Sequence, residues 1–125
     1  MEKYVIQEEL KNCPGIVYYP DINRLVLVGR SIPENPELIF TRLDTWITSH
    51  FEKNKALEVN IQLEYINSGS SKYLYEILRK LTGYSLSGRL VRLRWLYEEE
   101  DEAMLELGEH YRDNAGIPLE IDMIV

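Results

Sequence analysis

The residues best suited to chemistry in this chain lie in one short stretch, Asn67-Ser68-Gly69-Ser70-Ser71-Lys72. Hydroxyls, an amide and an amine here follow a strand-like run and precede a helical one. A junction of this kind leaves backbone N–H groups without an intrahelical partner, beside the positive end of the helix dipole. Anions are stabilised there, so a hydroxyl at such a place is suited to carry a phosphate. A phosphoserine would add roughly −1.5 to −2 charges to one loop, with Lys72 near enough in sequence to help balance them. The same residues also serve plain architecture. Ser70 or Ser71 can cap the helix, and Asn67 and Gly69 can shape the turn. On local pattern alone, capping is the simpler account.

Other constellations point away from catalysis. No G-x-S-x-G elbow surrounds the serines. The two histidines, His50 and His110, fall on the apolar side of one helical pattern and near the end of another. Neither is placed by spacing to act as a base. The glycine-bounded segment 83–88 is not a phosphate-binding loop signature. The acidic run at 98–102 suits the first turn of a helix and has no calcium-loop spacing. The single cysteine, Cys13, excludes an internal disulfide and reads as a small, partly buried side chain. No metal or cofactor site is expected. The segment 30–37, Arg-Ser-Ile-Pro-Glu-Asn-Pro-Glu, leads into a helix. It would bring Ser31, Glu34 and Asn35 to the sheet edge that holds Ser68 if both loops follow neighbouring parallel strands.

The elements that must position these residues follow from apolar periodicity. Strand patterns occupy residues 4–8, 16–19, 24–29, 57–66, 90–97 and 119–124. Residues 20–23 have hairpin length, and Gly29 marks the end of the third strand. In 57–66, Leu57, Val59, Ile61, Leu63 and Tyr65 share one side, and the other side is mostly polar. Helical patterns begin at Pro36 behind an Asn35 cap, behind the serine turn, and at Asp101. They should stop near Asn54, Gly83 and Ala115. The order β-β-β-α-β-α-β-α-β implies an α/β fold of 125 residues in one domain. Its mixed sheet would carry about three helices on one face and leave the other open.

Composition narrows the partners. A net charge of −7 opposes non-specific nucleic-acid binding and docking on anionic membranes. No apolar run approaches the ~20 residues that span a bilayer. The segment 1–10 carries Glu2, Glu8 and Glu9 and lacks the apolar block of a signal peptide. A cytoplasmic protein with protein partners is expected.

Three segments in order carry a resemblance: 13–36, 65–78 and 91–111. Their most specific parts are Ser31-x-Pro33-Glu34-Asn35, then Asn67-Ser68-x-Ser70-Ser71-Lys72. A third part is Trp95-x-Tyr97, leading to Asp101-Glu102 and Gly108-Glu109. Together they resemble the SiaC family of bacterial regulatory phosphoproteins, over nearly the whole chain. The resemblance implies a STAS-like fold and a non-enzymatic partner switch. In such a switch, a hydroxyl at a helix entrance is phosphorylated by a cognate serine/threonine kinase and dephosphorylated by a metal-dependent phosphatase. The unphosphorylated form activates a diguanylate cyclase, in cyclic-di-GMP and biofilm signalling. Ser68 stands where the family pattern usually has threonine, and Gly69 where it has serine. The phosphoacceptor position therefore falls on Ser68. Ser31, Glu34, Asn35, Asn67, Ser70, Ser71 and Lys72 are then expected to line the partner surface. The alternative is a constitutive STAS-like interaction module, similar to an anti-sigma-factor antagonist, that is never phosphorylated.

Overall fold

Each segment with a two-residue apolar period forms a strand, and each with a helical period forms a helix. The computed structural model describes residues 2–124. The strands are β1 (Tyr4–Gln7), β2 (Gly15–Tyr19), β3 (Arg24–Ser31), β4 (Ala56–Ile66), β5 (Leu90–Glu98) and β6 (Leu119–Ile124). The helices are α1 (Pro36–Lys53), α2 (Ser68–Leu86) and α3 (Glu102–Asn114), and a 3-10 turn at Pro20–Ile22 joins β2 to β3. All six strands form one sheet in chain order. β1, β2 and β3 pair antiparallel; β3, β4, β5 and β6 pair parallel. Because successive parallel strands step in one direction, right-handed crossovers put all three helices on the same face.

That face is the core. Leu25, Leu27, Leu57, Val59, Ile61, Leu93 and Trp95 are buried beneath Leu43, Ile47, Leu74, Leu78, Leu81 and Met104 of the helices. Trp95 sets how closely α3 can lie. Its Nε1 donates to the Met104 carbonyl at 2.9 Å, and Gly108 lies flat against the indole. A Cβ at Gly108 would sit 2.6 Å from Trp95 Cδ1. At the other end of the sheet, the buried ring of His50 donates through Nε2 to the Ala56 carbonyl at 2.9 Å. That bond ties the end of α1 to the start of β4. Cys13 is half-buried, as its neighbours imply.

The open face carries a ladder of charges. Arg24 of β3 pairs with Glu58 of β4, and Glu58 with Arg92 of β5 at 3.2 Å. Arg92 grips Glu120 of β6 through two bonds, at 2.7 and 3.0 Å. Arg94 and Asp122 lie 3.5 Å apart. The Arg92 guanidinium holds the Glu120 carboxyl below the usual carboxylate range.

Two boundaries and the facing of one side chain differ from the sequence reading, each for a physical reason. α2 runs through Gly83, which is exposed and crowded by nothing, and stops before Gly88, whose φ of +100° breaks the helix. β3 continues past Gly29 to Ser31. Gly29 has a φ of +91°, which side chains rarely adopt, at an irregularity in the β3–β4 pairing, with the end of the Glu9 side chain lying against it. The pairing passes from Gly29↔Leu63 to Arg30↔Tyr65, so one residue of β4 bulges. Tyr65 therefore leaves the Leu63 side and shares a face with Arg30, whose guanidinium lies 5.7 Å from the Tyr65 ring centre.

The two helical glycines should respond oppositely to alanine. Gly108→Ala should lower unfolding stability by about 1–3 kcal/mol through overpacking on Trp95. Gly83→Ala should raise it by about 0.4–1 kcal/mol. Urea denaturation of both variants reads this. Acid should weaken the ladder. Glu120 contributes fully above its unfolded-state pKa, about 4.3, and the contribution fades as pH falls through the depressed native value. Glu120→Gln should therefore lower the urea midpoint at neutral pH, and the gap to wild type should close in acid.

Candidate functional site

The carboxyl end of the parallel strands gathers the polar loops. β4 ends at Ile66, and Asn67 is the last extended residue, with φ −83° and ψ 169°. Its side-chain oxygen accepts from the Ser70 N–H at 2.8 Å, so Asn67, and not Ser70 or Ser71, caps α2. The reason is position. A cap must still be extended while its side chain reaches two or three residues ahead, and all the serines are already helical. Gly69 is likewise helical, with no positive φ and room for a Cβ, so it does not shape the turn.

The serines then separate by burial. Ser68, the first helical residue, is exposed, and its hydroxyl makes no hydrogen bond to the described residues. Ser70 is fully buried, with an Oγ that has no partner among the described residues. Ser71 is half-buried. Its Oγ donates to the Ser68 carbonyl at 2.9 Å, and its own carbonyl accepts from the Tyr111 hydroxyl at 2.8 Å. Lys72 is exposed.

The loop after β3 does meet this turn, as parallel pairing requires. The Asn67 N–H donates to the Ser31 carbonyl at 3.0 Å. A Cβ on Gly69 would lie 3.9 Å from Pro36, so the entrances of α1 and α2 adjoin. Glu34 and Asn35 are exposed, and Asn35 precedes α1 without a side-chain capping bond. Ser31 is fully buried and its hydroxyl has no partner among the described residues. Burial thus removes two expected surface residues, Ser31 and Ser70, from the accessible face. Ser68, Glu34, Asn35 and Lys72 stay on it.

Beside Ser68 runs a cleft of about 260 Å³, lined by Tyr65, Ser68 and Ser71 on one side and Asp101, Met104 and Leu107 on the other. Asp101 caps α3 through its Oδ1, bonded to the Met104 N–H at 3.1 Å. This is the dipole-complementing role expected of the acidic run. Glu64 brings a second carboxylate to the cleft. The exposed apolar side chains Leu38, Tyr65 and Tyr73 belong to the elements that meet here. Strand alternation hid Tyr65 because the bulge was not legible. Tyr73 and Leu38 follow the polar turn residues so closely that only their exposure in the fold singles them out. Neither histidine joins the cleft beside Ser68. Among the described residues, no group of three or more His, Cys, Asp and Glu side chains is arranged to hold a metal ion. No helix among them is long and apolar enough to cross a membrane.

The arrangement is an α/β module whose polar loops gather at a helix entrance, where among the described residues Ser68 is the one serine of the turn that is both exposed and unbonded. The chain belongs to the SiaC family of regulatory phosphoproteins, whose model matches residues 7–124. It is 33% identical over 99 residues to an uncharacterized protein of Pseudomonas aeruginosa strain UCBPP-PA14, covering 78% of this chain and 79% of that one. Its structure is similar to SiaC of Pseudomonas aeruginosa, with a TM-score of 0.85 and 29% identity, over 99% of this chain and 100% of that chain. It is also similar to a chain in the crystal structure of the diguanylate cyclase SiaD in complex with its activator SiaC, from the same organism. There the TM-score is 0.86 at 29% identity, over 94% of this chain and 98% of that one.

The capping assignment has a direct test. Asn67→Ala should cost about 1 kcal/mol of stability in urea denaturation, as loss of a helix cap does. Ser70→Ala should be close to neutral, because it removes a buried hydroxyl that bonds to nothing. The reverse ranking would return the cap to Ser70.

Proposed function

We propose that this protein is a phosphorylation-controlled partner switch in the cytoplasm, without catalytic activity of its own. Its unmodified form docks on a diguanylate cyclase and activates it. A serine/threonine kinase places phosphate on Ser68, and a metal-dependent phosphatase removes it. One observation carries the choice of residue: of the three serines in the turn, Ser68 alone is both exposed and unbonded. Family membership and the similarity to an activator found with its cyclase support the partner class.

The physics of the site favours a switch. A phosphate on the first residue of α2 meets unpaired N–H groups and the positive helix end. Lys72, four residues on, lies on the same helical face and can pair with it. Glu64 and Asp101 already face the cleft, so added negative charge makes it repel an acidic or apolar surface. Leu38, Tyr65 and Tyr73 supply the apolar contact that such a charge would oppose.

Co-expression with the candidate kinase and mapping by mass spectrometry should place phosphate on Ser68, and Ser68→Ala should abolish it. Binding to the cyclase, measured by calorimetry, should weaken at least tenfold on phosphorylation. Phosphate confined to Ser71 would overturn the site. Equal affinity of both forms would instead favour the constitutive interaction module.

A further inference from the structure

The Tyr111 hydroxyl makes the one side-chain hydrogen bond between α2 and α3 among the described residues, to the Ser71 carbonyl at 2.8 Å. Its ring packs edge-on against Trp95, with centroids 5.7 Å apart, and stacks on Tyr75 of α2 at 6.0 Å. Trp95 in turn holds α3 through the Met104 carbonyl and through contact with Gly108. Tyr111 is 4% exposed, and a phenol reaching a backbone carbonyl from such a place is more than filler.

Ser71 is the node it reaches. The Ser71 N–H bonds to the Asn67 carbonyl at 2.9 Å, its Oγ to the Ser68 carbonyl at 2.9 Å, and its carbonyl to Tyr111. Any displacement of the first turn of α2 is therefore felt at the Tyr111 hydroxyl. A charge on Ser68 would produce such a displacement. It shares the cleft with the carboxylates of Asp101 and Glu64 and is drawn toward Lys72 along the helix.

We propose that Tyr111 is a positioning residue for the switch: its hydroxyl, clipped to Ser71, passes charge on Ser68 into the seating of α3. This rests on the reading of Ser68 as the phosphoacceptor. The partner then senses two things together, a charge at the entrance of α2 and a moved wall, α3, on the far side of the same cleft. Burial pushes the phenol up to about 12, so it stays a donor throughout the physiological range.

Amide hydrogen exchange of residues 102–114 tests this, in wild type and Tyr111→Phe, each unmodified and phosphorylated on Ser68 during translation. Phenylalanine keeps the ring contacts and removes only the donor. Phosphorylation should change exchange in α3 of the wild type by at least about fivefold, the low end of coupling between sites. Most of that change should vanish in Tyr111→Phe. Tyr75→Phe, which keeps the Tyr111–Ser71 bond, should behave as wild type. A purely structural tyrosine would instead let Tyr111→Phe speed exchange equally in both forms and leave the phosphate effect intact, which overturns the proposal. No α3 response in the wild type overturns it too. The switch itself is judged separately, by the effect of phosphate on cyclase binding.

Discussion

Asn67 holds the site together. Its N–H reaches the end of β3 at Ser31, its carbonyl accepts from Ser71, and its side chain caps α2 through Ser70. One residue thus joins the ends of two parallel strands to the start of a nineteen-residue helix. Without that junction, Ser68 would have no defined relation to the loop at Glu34 and Asn35 or to the cleft against α3. The arrangement follows from elementary accounting of backbone groups, since the first N–H groups of a helix need partners from outside it. Because Asn67 serves as the cap, the hydroxyl of Ser68 is left unbonded.

The two faces of the sheet are held by different forces. Under the helices, apolar burial dominates, and Trp95 with Gly108 decides the depth at which α3 lies. On the open face, alternating charges across β3, β4, β5 and β6 keep the strands soluble in register, at the modest strength of exposed ion pairs. The candidate site lies at neither face but at the sheet end between them. There helix entrances supply unpaired N–H groups, and loops tolerate polar and aromatic residues that a core would reject.

Much of the fold was legible in the chain. Six strands, three helices and the helix-covered sheet follow from alternation and helical spacing, because burial on one side imposes those periods. The meeting of the Ser31 loop with the Ser68 turn was legible too, as a consequence of parallel crossovers. What failed was local. Gly83 reads as a stop because glycine is a poor helix former, yet α2 passes through it with packing on its other face. The Tyr65 side chain reads as inward because alternation has no memory of a bulge, and the bulge arises only where β4 meets β3.

The sequence by itself determined the class of fold, the set of polar residues at one sheet end and their family kinship. These depend on period, order and residue type, which are properties of the chain. Tertiary structure decided which of those residues are usable. Serines 68, 70 and 71 are chemically alike, but one is exposed and unbonded, one is buried, and one is tied into a hydrogen-bonded node with Tyr111. Ser31 looks like a loop hydroxyl and is fully buried. A side chain's accessibility and partners come from what packs against it. For this cleft those neighbours are Asp101, Met104 and Leu107, thirty or more residues away along the chain, and Ser71 is held by Tyr111, 40 residues away.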